Sequence, residues 1–475
     1  MSESAAARGK SDRPVVAVAN RLPVQHGESG WELSPGGLVT ALRPVMATHP
    51  GAWVGWDGGT KGIPSMLPDS DVQLLPVGLS ASQVRNYYHG FANATLWPLL
   101  HEAIEKPRFE RDWWRAYQDV NGQFAHRAVA ALDDRPDAIA WVHDYHLMLV
   151  PQLIRESRNA QPIGFFLHTP WPSPDIFARL PWREQILTGL LGADLVAFHT
   201  ESYRGNFLRA CARLLAGAGI DVHGSSVVLP DSRRVSTTTA PISVDTAELD
   251  QQASDPATTK DIQDLTEQFR GRTLLLGVDR LDYTKGIVER VLAVEALLDR
   301  NPELRTSLAF LQIAVPSRDD VREYRQLRNA VEQHVGRING MFTQPGNDVP
   351  VHYLYRSLSK QQLAAYYAVA DVLLVTPLID GMNLVCKEYV IVQQALGRSG
   401  VLMLSEFTGA AVELPQAVSC NPFDVEGLSY RIEHSLRMPL EARRRALAEM
   451  AGHVRGHDVH HWVSGQLAKI EAHSR

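Results

Sequence analysis

Cysteine is scarce in this chain, with Cys211, Cys386 and Cys420 the only three among 475 residues. Their odd number and wide spacing argue against a disulfide framework and a cysteine-built metal site, so reduced, buried thiols are expected. An excess of positive charge is missing too. Lys and Arg number 47 against 53 Asp and Glu, a formal net charge of -6 with no basic cluster, which leaves little long-range pull on nucleic acid. Any anion must therefore be held by a local site. No apolar run approaches the roughly 18 residues of a membrane span. The opening MSESAAARGKSDRP lacks the apolar core of a signal peptide, so residues 1–14 read as a flexible lead-in and a cytoplasmic protein is expected.

What is present is the balance of a soluble globular protein, 45% hydrophobic and 21% charged. At about 150 residues per domain, a chain of this length favours two or three domains. Short runs rich in Val, Leu and Ile recur between amphipathic stretches: PVVAVAN, AIAWVHD, IGFFLH and DLVAFH, then TLLLGVD, LAFLQIAV, VHYLYR, VLLVTP and VLMLSE. That alternation predicts an α/β fold in which helices cover both faces of parallel sheets, and ligands bind at the carboxyl ends of such strands. Apolar periodicity lapses over residues 240–261 and restarts at TLLLGVD, which marks a candidate boundary between two doubly wound domains, 15–240 and 241–455, with a cleft between them. The closing HHWVSGQLAKIEA reads as a helix whose Trp462 needs a surface to pack on.

The unusual polar clusters follow these strands. After VLLVTP comes DGMNLVCKE, where Asp380 is placed to cap a helix and Gly381 to let a ligand approach the backbone. The first-turn amides, around Met382, Asn383, Leu384 and Val385, would then face a phosphate across a positive helix end. Glu388, one turn beyond Leu384, is placed to take the hydroxyls of a ribose; an ordinary capped helix with a solvated Glu is the competing reading. In GVDRLDYTKG, Arg280 and Lys285 offer two cations for a diphosphate, unless they simply pair with Asp279 and Asp282 at the surface. Gly36 and Gly37 of SPGGLVTAL form a short glycine turn that is neither GxGxxG nor a P-loop.

In the first half, Arg21 ends the first strand, and Arg318 lies at the end of a later one in AVPSRDD. An arginine from each half suits a phosphorylated substrate. WVHDYHLMLVP contributes His143, Asp144 and His146, too few and too closely spaced for an expected metal site, and read instead as structural histidines plus a sugar-binding carboxylate. GFFLHTPWP adds His168. Trp56, Tyr88 and Trp97 have aromatic faces suited to sugar rings, whereas Trp53 and Tyr87 read as core.

Taken together, ANRLPV, SPGGLVTAL, WVGWDG, NATLWPLLH, VNGQFA, WVHDYHLMLVP, GFFLHTPWPSPDIF, GLLGADLVAFHT, GVDRLDYTKG, GRING, VTPLIDGMNLVCKEYV and LSEFTGAA closely resemble the trehalose-6-phosphate synthases, retaining glycosyltransferases of the GT-B fold. The resemblance runs from about residue 15 to the C-terminus. It implies two Rossmann-like domains, with the helix of residues 456–475 returning to the first. It also implies transfer of glucose from a nucleoside diphosphate glucose to glucose 6-phosphate, without a metal or other cofactor. On the donor side it assigns the diphosphate to Arg280 and Lys285, helped by Gly37 and the amides around Asn383, Leu384 and Val385; the ribose to Glu388; and the transferring glucose to Asp380 and His168. On the acceptor side it assigns Arg21, Trp56, Tyr88, Trp97, Asp144 and Arg318. The expected catalytic set is Arg280, Lys285, Asp144, His168 and Asp380.

Ile379, Cys386 and Trp171 depart from the family's usual Arg, Ala and Phe, and none removes a named ligand. A homo-oligomer and a separate downstream phosphatase are expected partners. The donor base is left open among UDP, GDP and ADP. Three alternatives stay open: a glucosylglycerol-phosphate synthase, a cyclitol pseudo-glycosyltransferase, and a non-catalytic subunit that senses sugar phosphate.

Overall fold

The computed structural model describes residues 13–27, 30–34, 39, 42, 51–60, 62–68, 70–218, 221–318, 321–344 and 346–474. Gly36 and Gly37, and with them the glycine-turn expectation, lie outside the described residues. The chain divides into two compact units, Met1–Ile242 with Val459–Arg475, and Ser243–Asp458.

The first unit is built on a nine-stranded sheet. Its strands are β1 (Val15–Arg21), β4 (Gly51–Trp56), β5 (Val72–Val77), β6 (Ile139–His143), β7 (Ile163–Phe166), β8 (Leu195–Phe198), β9 (Asp221–His223), β10 (Ser226–Val228) and β11 (Arg234–Thr239), with a separate hairpin of β2 (Val24–Gly27) and β3 (Gly30–Leu33). The order is β5-β4-β1-β6-β7-β8-β11-β10-β9, parallel except for β10, which runs antiparallel to both its neighbours. Order reverses on either side of β1, and a reversal opens a crevice at the carboxyl ends of β1 and β6. Five consecutive apolar residues, Val15 to Ala19, are all buried, so both faces of β1 are covered and it reads as a continuous apolar run.

The helix Val459–His473 docks on this same sheet. Trp462 packs its ring against Trp141 and Phe166, at 5.3 and 5.0 Å between centroids, and its Nε1 donates to the Ala240 carbonyl at 3.1 Å. Gly164 makes the approach possible, since a Cβ there would sit 2.3 Å from Ile470 Cδ1.

The second unit is a six-stranded, all-parallel sheet: β12 (Thr273–Arg280), β13 (Leu308–Val315), β14 (Val351–Tyr355), β15 (Val372–Val375), β16 (Val401–Ser405) and β17 (Val418–Cys420). Its order, β14-β13-β12-β15-β16-β17, is the 3-2-1-4-5-6 pattern of a dinucleotide fold, with the switch point between β12 and β15. The polar stretch from residue 246 onward is not a loose linker. It forms two helices, Thr246–Ser254 and Pro256–Gln268, whose N-termini are capped by Asp245 and Asp255, and the unit boundary falls before both. The three cysteines are free and buried.

Candidate functional site

In the second unit the predicted donor residues gather at the switch point. Asp282, two residues past the end of β12, accepts from the Thr284 amide and caps a single turn, Tyr283–Lys285. Gly286 follows at φ 61 and opens the helix Ile287–Arg300; a Cβ there would lie 2.2 Å from the Thr376 carbonyl oxygen, so only glycine lets the turn press against the β15 loop. That contact brings Lys285 Nζ to 2.6 Å from Asp380 Oδ2. Arg280, the last residue of β12, is exposed.

Asp380 is not the helix cap that its position suggested. The helix runs Leu384–Ala395, and its cap is Asn383, held at φ 79, whose Oδ1 accepts from the Cys386 amide at 3.3 Å while its Nδ2 donates to Asp380 Oδ2 at 3.1 Å. The Asp380 carboxylate thus stands between a cation and the cap. Its backbone is braced by the loop after β16, through Asp380 N to the Phe407 carbonyl at 3.1 Å and Gly409 N to the Asp380 carbonyl at 3.3 Å. Leu384 and Val385 begin the first turn, where amides have no intrahelical partner, and Gly381 and Met382 form the approach to it. Glu388 lies one turn on and accepts from the Tyr367 hydroxyl at 2.9 Å; burial raises its carboxyl above the ordinary range.

Lys285 is ion-paired with Asp380, and Asp279 and Asp282 each have a close arginine partner of their own. Asp279 pairs with the fully buried Arg290 at 2.6 Å, and Arg290 also reaches Gln312 Oε1 at 2.8 Å and Thr376 Oγ1 at 2.9 Å. This brace escaped sequence reading, although an arginine inside the apolar stripe of IVERVLAVEALL was a visible signal. Gly277 makes room for it, since a Cβ would sit 2.4 Å from Gln312 Oε1 and 2.5 Å from Arg290 Nη1. Asp282 faces Arg318 at 3.7 Å and accepts from the Tyr324 hydroxyl at 3.0 Å. Burial alone would raise its pKa, yet Arg318, Arg280 and Lys285 together hold it down at about 2. Arg318 stands past the end of β13 at φ 52, largely buried on Asp282 and Tyr324.

In the first unit three of the predicted acceptor residues, Arg21, Trp56 and Asp144, also sit at strand ends. Arg21, at the end of β1, lies over Trp56, at the end of β4, with 4.4 Å from guanidinium carbon to ring centroid, and over Tyr88 at 5.4 Å. The Trp56 and Tyr88 rings are 5.6 Å apart, and Tyr88 stacks on His146. Trp56 is buried, and its Nε1 donor meets no acceptor among the described residues. Tyr88 belongs to a wide π-type helix, Val84–Leu96, and Trp97 follows it, packed on His101 and Tyr145. Trp53 and Tyr87 are core, although the Tyr87 hydroxyl also donates to Asn20 Oδ1 at 2.8 Å.

Asp144 follows β6 at φ 73, and its Oδ1 accepts from the His168 amide at 3.3 Å. With Arg318 and Asn383, it makes three predicted site residues held in the left-handed region, where a non-glycine residue is costly and concentrates at functional sites. The Asp144 turn is gripped from beneath by the helix Arg111–Asp133: the Tyr117 hydroxyl donates to the Tyr145 carbonyl at 2.8 Å, and Asn121 Nδ2 to the His146 carbonyl at 3.1 Å. His143 points instead to His168, with Nδ1 3.2 Å from Nε2. Among the described residues no group of three or more His, Cys, Asp and Glu side chains is arranged to hold a metal ion, and no helix is long and apolar enough to cross a membrane. Of the three departures from the family pattern, Trp171 is fully buried against Phe177 and Phe207, and Ile379 and Cys386 are buried beside Asp380 and Asn383. A 440 Å³ depression lined by Trp114, Gln118, Leu149, Gln152, Glu184 and Thr188 contains none of the predicted site residues.

Comparison with known proteins gives consistent matches. The model described as glycosyltransferase family 20 matches residues 13–472. The chain is 45% identical over 482 residues to the trehalose-6-phosphate synthase of Mycobacterium avium (strain 104), covering 97% of this chain and 96% of the relative. It is similar to a solved E. coli structure described as bound with UDP-2-fluoro glucose, at TM-score 0.86 and 33% identity, covering 97% of this chain and 99% of that one. A Burkholderia xenovorans alpha,alpha-trehalose-phosphate synthase (UDP-forming) in complex with glucose-6-phosphate gives TM-score 0.86 at 31% identity, covering 96% and 100%.

Proposed function

The chain belongs to glycosyltransferase family 20, and on that premise we propose that it transfers glucose, with retention, from UDP-glucose to glucose 6-phosphate, releasing UDP and α,α-trehalose 6-phosphate. The observation that carries the reading is the Lys285–Asp380–Asn383 cluster at the switch point of the second unit, where a cation and a helix N-terminus converge on one place. UDP is chosen as the nucleotide because the similar structures are described with a UDP sugar or as UDP-forming.

In this reading Arg280 and Lys285, with the Leu384 and Val385 amides, hold the diphosphate and stabilise the charge that grows on it as the bond to glucose C1 breaks. The acceptor hydroxyl attacks from the same face, and its proton passes to the departing diphosphate oxygen. No pair of flanking carboxylates is required, unlike the usual glycosidase arrangement. Glu388 takes the ribose, and Asp380 and His168 hold the transferring glucose. Arg21, Trp56, Tyr88, Trp97, Asp144 and Arg318 hold glucose 6-phosphate, with sugar faces against the rings and the phosphate on arginine. Positioning supplies much of the rate. The product is a phosphate ester, so a phosphatase must act after it to give free trehalose.

The test is to incubate the protein with glucose 6-phosphate and UDP-, GDP- or ADP-glucose in turn and measure nucleotide released. UDP-glucose is expected to give the fastest release. Release from none of the three would defeat the reading, and binding of glucose 6-phosphate without any release would point to a sensing subunit.

A further inference from the structure

We propose that His143 is a positioning residue that fixes the tautomer of His168, so that His168 offers its Nδ1–H as a hydrogen-bond donor to a hydroxyl oxygen of the transferring glucose. The proposal deepens the function above and rests on it for the identity of the sugar.

His143 is the last residue of β6, fully buried, and pairs in register with Phe166, the last residue of β7. His168 lies just beyond. The two rings meet through His143 Nδ1 and His168 Nε2, 3.2 Å apart, and a hydrogen bond there needs one proton, on one nitrogen or the other. The far side of His143 decides which. Its Nε2 is buried with no partner among the described residues.

If His168 donated from Nε2, a neutral His143 would keep its own proton on Nε2, leaving a buried N–H unmet. If His143 donates from Nδ1, the orphan is a bare ring nitrogen, and buried acceptors without a partner are less rare than buried donors. A doubly protonated His143 would restore the unmet donor, and burial pushes its pKa well down. The proton therefore sits on His143 Nδ1. His168, accepting at Nε2, carries its own proton on Nδ1. Burial, and then the nearby His199, keeps His168 neutral, so it donates a hydrogen bond without acting as a proton source at neutral pH.

Adjacent residues thus grip His168 twice, since Asp144 Oδ1 accepts from its backbone amide at 3.3 Å while His143 holds its ring. Phe166, His199 and Trp462 pack around the same imidazole.

The test uses the full chain with its 18 histidines labelled with ¹⁵N, the His168 signals being assigned by loss in His168→Gln. Long-range proton–nitrogen correlations in the wild type should show His168 protonated at Nδ1 and bare at Nε2. His143→Phe keeps the ring volume and removes the donor; it should release the tautomer and lower kcat about tenfold, the worth of roughly one neutral hydrogen bond, with little change in KM for glucose 6-phosphate. His143→Asn, whose amide nitrogen takes the place of Nδ1, should restore most of the rate. A wild-type His168 protonated at Nε2 would overturn the proposal, as would His143→Phe turning over at the wild-type rate. Should His143→Phe fail to fold, the wild-type spectrum and His143→Asn still decide the matter. If the wild type releases no UDP, the function fails while the spectrum still reports on the histidine pair.

Discussion

The two regions that carry the predicted site residues use different physics. In the second unit the site is ionic and already paired: Lys285 on Asp380 at 2.6 Å, Arg290 on Asp279 at 2.6 Å, Arg318 on Asp282 at 3.7 Å. In the first unit it is aromatic and imidazole-rich, with Arg21 resting on Trp56 and Tyr88 and a buried His143–His168 contact. The contrast matches the chemistry proposed for each. A leaving diphosphate gains charge as the bond breaks, and fixed cations stabilise that change without rearranging. A sugar acceptor changes little in charge and needs its rings and hydroxyls placed.

Breaking the ionic side should therefore have the largest effect. Arg280→Ala and Lys285→Ala should each lower kcat by about 10²–10³, with a much smaller change in KM for glucose 6-phosphate. Steady-state UDP release checks this, and unchanged turnover would sink the assignment. The next effect is on stability. The folded-state pKa of Asp282, about 2, lies below the ordinary carboxylate range, so its ionised form stabilises the fold. That contribution, about 2 kcal/mol, is fully present above about pH 4 and is lost as pH falls towards 2. Urea titrations at stepped pH should show the gap between wild type and Asp282→Asn narrowing as pH falls; a constant gap contradicts the pairing.

Smaller changes sharpen the comparison from each side. Tyr367→Phe frees the carboxylate of Glu388 and should raise KM for UDP-glucose about fivefold, the worth of one hydrogen bond, while KM for glucose 6-phosphate stays put. An equal rise in both would remove Glu388 from the donor side. Trp56→Phe keeps an aromatic face but deletes the unmatched Nε1 donor, and KM for glucose 6-phosphate alone should rise roughly threefold.

Much of this contrast was legible in the sequence, for identifiable reasons. Strands such as TLLLGVDR are buried on both faces, so they read as unbroken apolar runs. Polar residues that break out just after such runs, at Arg280, Asp144 and Asp380, sit where a parallel sheet binds ligands. What was not legible depended on backbone geometry or on distant contacts. Asn383, at φ 79, takes the capping role that local preference assigned to Asp380, because the loop is bent by its contacts with Phe407 and Gly409. The wide helical turns around Tyr88 have no period that a sequence displays, and they depend in part on Gly90, where a Cβ would meet the Trp113 ring at 2.7 Å. The three-residue strands β9 and β10 are too short to signal themselves. The stretch from residue 246 looked like a break because its helices are short, polar and largely exposed.

The central claim is that the ionic site positions a sugar nucleotide for transfer with retention. The direct test is to mix the protein with UDP-glucose and glucose 6-phosphate and follow UDP release together with the anomeric signals of the sugar product by proton NMR. The account predicts UDP and a phosphorylated disaccharide in equal amounts, with both anomeric centres α. A β-linked product, or UDP released with no disaccharide formed, would contradict it.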